Sequence, residues 1–70
     1  MWVWQGKNYK ALMDWIGETD PAEFDRLSRM PQLSVLERLN ELSGLNIQPN
    51  DRIEGSCETF LRVLKAKRSL

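Results

Sequence analysis

Seventy residues, 41% of them apolar, suffice for one domain spanning 1–70, close to the size below which an apolar core alone no longer holds a fold. Ten basic and ten acidic groups cancel to zero, so the molecule as a whole exerts no long-range pull on phosphate or anionic lipid. The composition excludes a disordered chain, no apolar run approaches the ~20 residues of a membrane span, and no signal-peptide pattern opens the sequence.

Met1-Trp2-Val3-Trp4-Gln5 alternates and is rich in strand formers, and Gly6-Lys7 reads as a turn, so a short strand or extended arm is expected first. Tyr9, Leu12, Met13 and Ile16 then recur at helical spacing, with Gly17 placed to close that helix in a left-handed conformation. Asp20-Pro21-Ala22-Glu23 is a helix start. Asp20 can cap it, Pro21 fills the first helical position, and Glu23 can complete a capping box. Phe24, Leu27 and Met30 point this second helix inward, and Pro31 stops it. Ser34 to Glu37 repeats the capping pattern ahead of the stripe Val35, Leu36, Leu39 and Leu42, which Gly44 ends. A last helix is expected from about Ser56, with Cys57, Phe60, Leu61 and Leu64 on its inner face. The fold class is therefore mainly α: four short helices, an N-terminal strand or arm, and a small β-hairpin near 46–54. In that hairpin, Asn46-Ile47-Gln48 and Arg52-Ile53-Glu54 pair across Pro49-Asn50-Asp51. A helix beginning at Asn46 is the other reading of the segment.

Cys57 is the only cysteine, which rules out an intrachain disulfide and suits a reduced, cytoplasmic setting; its apolar neighbours make it a small core residue. With no histidine, the commonest general base and metal ligand are both missing. Acid pairs such as Asp14 with Glu18, or Glu37 with Glu41, have the spacing of surface charges on helices. No nucleophile–base arrangement, glycine-rich phosphate loop or metal set is visible, so no enzyme, cofactor, metal or small-molecule substrate is expected.

Read as a helix, the stretch from Leu36 to Glu54 resembles the helix-turn-helix of Cro/Xre-type phage and bacterial repressors. Leu39, Ser43, Gly44 and Leu45 stand where that family has its buried leucine, small residue, turn glycine and apolar turn residue, and Arg52-Ile53-Glu54 matches the end of its recognition helix. Asn40 and Asn50 depart from the pattern, standing where the family has a small alanine and a buried isoleucine or valine. Read as a hairpin, the segment is similar in layout to the wing and following helix of small winged-helix excisionases. Either resemblance implies a small DNA-binding regulator of phage or mobile-element type. Asn46, Gln48 and Arg52 have side chains that read base edges or grip phosphate. The basic end of the last helix, Arg62, Lys65, Lys67 and Arg68, is where any polyanion contact would lean, while Asp51, Glu54 and the neutral total charge oppose it.

The alternative is a protein-binding module, an inhibitor or adaptor acting through a helical face or through Trp2 and Trp4. Those two indoles share one face of an extended segment, and tryptophan is enriched at interface hot spots. A homodimer pairing through that aromatic end is one form such binding would take.

Overall fold

The computed structural model describes residues 6–51 and 53–69, the side chains of Ile53 and Glu54 excepted. Among them are four helices and no strand: α1 (Lys7–Thr19), α2 (Pro21–Ser28), α3 (Gln32–Ser43) and α4 (Ile53–Arg68). The expected N-terminal strand or arm, with Trp2 and Trp4, lies outside the described residues, and Lys7, expected in a turn, already opens α1.

The apolar stripes read from the sequence become the core. Leu12, Met13 and Ile16 of α1, Leu27 of α2, Val35, Leu36 and Leu39 of α3, and Cys57 and Phe60 of α4 are buried together. α1 packs on both α2 and α4, and α3 packs on α4. Two contacts set the direction of α1 and α4. Tyr9, near the start of α1, interacts with Cys57, near the start of α4; its phenol is raised above its usual range, first by burial and then by Cys57. At the other end Arg68 reaches the carbonyl of Thr19. The two helices therefore run parallel and end together. No helix among the described residues is long and apolar enough to cross a membrane.

Asp20 serves two helices. Its N–H reaches Ile16 O at 2.7 Å and ends α1, while its carboxylate accepts from the Glu23 N–H at 3.2 Å and opens α2. Because that backbone bond carries α1 on to Thr19, Gly17 lies inside the last turn and does not close it. The ring of Phe24, expected in the core but 38% exposed, covers Gly17 instead. A Cβ at Gly17 would stand 3.5 Å from that ring, an ordinary contact. Gly44 does close α3, with φ 78° in the left-handed region. Gly17→Ala is therefore expected to stabilise the fold by about 0.5–1 kcal/mol, and Gly44→Ala to destabilise it by about 1 kcal/mol. Thermal melts of the two variants check this, and a lower melting temperature for Gly17→Ala would show that Phe24 cannot accept the methyl.

The capping pattern at Ser34 misplaced the start of α3. The helix begins at Gln32 after Pro31, with Ser34 already inside it, because Pro31 O accepts the first helical bond from the Val35 N–H at 3.0 Å. Similarly α4 starts at Ile53, ahead of Ser56.

The hairpin near 46–54 does not form among the described residues, and neither does a helix beginning at Asn46. Residues 45–51 make a loop that runs back along α3, and Ile53 and Glu54 belong to the first turn of α4. Asn40 on α3 takes the part of the missing strand. Its Nδ2 donates to Ile47 O and its Oδ1 accepts from the Ile47 N–H, both at 2.9 Å. One carboxamide thus satisfies the two backbone groups that a neighbouring strand would have satisfied. A turn closes the loop, with Asp51 N–H on Gln48 O at 3.0 Å and the Asp51 carboxylate on the Gln48 N–H at 2.9 Å. Buried Ser43 ties in the near end, donating to Leu39 O at 2.7 Å and accepting from the Leu45 N–H at 3.2 Å.

Candidate functional site

The basic end of α4 is built into the ends of the other helices. Lys67 Nζ donates to Leu42 O in the last turn of α3 at 3.2 Å, and Arg68 Nη2 donates to Thr19 O at the end of α1 at 3.0 Å. Helix C-termini leave carbonyls without intrahelical partners and carry a partial negative charge, so two cations brought there both cap and neutralise. The sequence placed Lys67 and Arg68 in the last turn of their own helix; the carbonyls they reach belong to its neighbours.

Between these ends lies a cleft of about 240 Å³. Trp15, Ile16, Leu42 and Leu64 give it an apolar lining, and the charged residues Lys67, Arg68, Asp20 and Glu23 complete its wall. Trp15, Leu42 and Leu64 are half-buried and so present part of their surface to an incoming group. A second hollow shares Trp15, Thr19 and Arg68 and adds Lys65 and Ser69, so Arg68 borders both.

The two acids that line the cleft are already engaged. Asp20 caps α2, and buried Glu23 accepts from Arg38 through Nη2 at 2.6 Å and Nε at 3.1 Å, with Arg26 at 3.4 Å. That bonding to Glu23 is the main reason the Arg38 guanidinium binds its proton even more tightly than usual, with desolvation working in opposition. Lys67 has three N–H donors and Arg68 five, of which the carbonyls of Leu42 and Thr19 take one each. Among the described residues no other group takes the remainder, which can serve a ligand.

The other expected site residues are dispersed. Arg62 lies exposed on α4 with Glu58 at 3.5 Å. Asn46 and Gln48 sit exposed on the loop, where Gln48 Nε2 donates to Asn46 Oδ1 at 3.1 Å. They border a different hollow, with Leu33, Leu36, Ile47 and Pro49 as its apolar part and Glu37 on its edge, and it shares no residue with the cleft at the helix ends. Arg52, Trp2 and Trp4 lie outside the described residues. The acid pairs read as surface charges are exposed, with Asp14 held by Lys10 at 2.8 Å and Glu41 by Arg38 at 3.5 Å.

No protein-family model matches the chain, and no curated protein or solved structure shows significant similarity to it. The site must be read from its own chemistry. Among the described residues no cluster of acids and cysteine is arranged to hold a metal ion. Sequence reasoning overlooked Trp15, Thr19, Leu42 and Leu64 as a group. Trp15 did carry a signal: it lies one position off the α1 stripe, at the stripe's edge, where a large side chain is part core and part surface.

Proposed function

We propose that this protein is a small non-enzymatic regulator that acts by binding another protein through the cleft at its helix ends. The observation that supports this reading is the setting of the basic residues. Lys67 and Arg68 are anchored to the carbonyls of Leu42 and Thr19 beside an apolar floor, which makes a concave seat and not a cationic strip. At about 240 Å³ the cleft is smaller than the ~300–1,000 Å³ of typical small-molecule sites, a size that suits a side chain offered by a protein surface. The exposed side of α3 carries Glu37 and Glu41, which would repel a nucleic-acid backbone.

The DNA-binding regulator is the second reading, favoured by Arg62 and Lys65, which face solvent on α4. Two measurements decide between them. The first is a fluorescence-anisotropy titration on mixed-sequence DNA duplexes from low to high salt. The second is selection from a random seven-residue peptide library displayed on phage. The protein-binding reading expects enriched peptides that compete for one face, and negligible affinity for duplex. Duplex binding that falls steeply with salt and weakens on Arg62→Ala with Lys65→Ala, together with a library that enriches nothing, would replace it with the DNA reading.

A further inference from the structure

Resting on the protein-binding reading, we infer the chemistry of the partner: an acidic segment of another protein that sets an apolar side chain on Trp15, Leu42 and Leu64 and a carboxylate on Lys67 and Arg68. The floor and the cations occupy one cleft, so a ligand that used only one of them would leave the other unmatched. An apolar residue alone would cover the floor and strip water from charged donors without replacing its hydrogen bonds. An acidic residue alone would gain only surface ion pairs, each of small net value. A carboxylate next to an apolar side chain satisfies both, since carboxylate oxygens accept from guanidinium and ammonium groups with charge-assisted bonds.

Lys65 extends the positive edge beyond Arg68, in the adjoining hollow that also touches Trp15. A segment long enough to cross Arg68 would therefore meet a third cation. Of the two acids that also line the cleft, Glu23 is neutralised by Arg38 and Arg26, while Asp20 keeps its charge and offsets one of the three cations Lys65, Lys67 and Arg68, so the rim stays positive on balance. The hollow beside Leu33 and Pro49 offers no such match. Its edge has Glu37 and amides, and it would favour a different ligand.

The test uses the full chain, labelled with nitrogen-15, and synthetic copies of the peptides enriched from the random library. The expected result is that enriched peptides combine Asp or Glu with Leu, Phe or Trp, and that they shift the Trp15 indole N–H and the Leu64 and Lys67 amides. Lys65→Glu reverses an edge charge without removing either carbonyl cap, and it should weaken binding about tenfold at low salt; as an anion in the last turn of α4 it should lower the melting temperature by only a few degrees. Should Lys65→Glu fail to fold, Lys65→Gln serves the same comparison with a smaller loss.

Enriched peptides that are basic, or that shift Ile47 and Leu33 in place of Trp15, would overturn the inference and leave the protein-binding reading standing. Shifts at Trp15 that grow with protein concentration in the absence of peptide would overturn it in favour of a second copy of the chain. A library without binders, with duplex DNA shifting Lys65 and Arg62, would overturn both.

Discussion

Arg38→Ala is expected to destabilise the fold by about 3 kcal/mol, the lower end of the ~3–5 kcal/mol seen when one partner of a buried ion pair is removed. Glu23 is 6% exposed, and two of its bonds come from Arg38 at 2.6 and 3.1 Å. Without them its carboxylate keeps, among the described residues, only Arg26 at 3.4 Å, on a side chain 60% exposed. The lower end of the range applies because Arg38 itself is 28% exposed and water can reach part of the site. Small domains have total stabilities from about 5 kcal/mol upward, and at that lower end such a loss leaves a marginal fold. Urea denaturation of Arg38→Ala measures it. Adding Glu23→Gln removes the stranded charge, so the double variant should recover a good part of the loss. If the double variant is no more stable than Arg38→Ala, the pair acts through packing of the Arg38 stem and not through charge.

Asn40→Ala is expected to cost about 2 kcal/mol, because the N–H and C=O of half-buried Ile47 both lose their partner. Hydrogen exchange at the Ile47 amide is the direct readout, and it should lose protection in this variant while the amides of Leu39 and Phe60 lose only what global destabilisation takes. Asn40→Asp keeps the acceptor for the Ile47 N–H but turns a second oxygen toward the Ile47 carbonyl. Only the protonated acid can donate there, so the fold favours the neutral form and raises that carboxyl above its usual value of ~4. Stability relative to the parent should therefore improve as pH falls through that range. A loop that stays protected in Asn40→Ala would mean that Ile47 is held by packing alone.

The two asparagines that break the helix-turn-helix pattern show where local reading stops. Asn40 stands where that pattern has a small apolar contact, and it is the residue that fixes the loop to α3. Nothing in the neighbouring sequence marks this, since its partner lies seven residues away on a stretch with no regular structure. The polar–apolar–polar rhythm of Asn46-Ile47-Gln48 points to a hairpin arm, but these residues form a loop without regular structure. Its hydrogen-bond partner is a side chain where a strand was expected.

The helices themselves were legible. Spacing of Leu12, Met13 and Ile16, of Val35, Leu36 and Leu39, and of Cys57 and Phe60 determined which faces are buried, because a helix face follows directly from residue order. Asp20 with Pro21 and Gly44 determined the start of α2 and the end of α3, because caps act within a few residues of the backbone groups they satisfy. Tertiary structure alone decided that α1, α3 and α4 end together, that Lys67 and Arg68 cap helices other than their own, and that Glu23 pairs with Arg38 fifteen positions away. These depend on how the helices are set against one another. That arrangement is selected by the packing of the whole core, which no local pattern of spacing or caps can express.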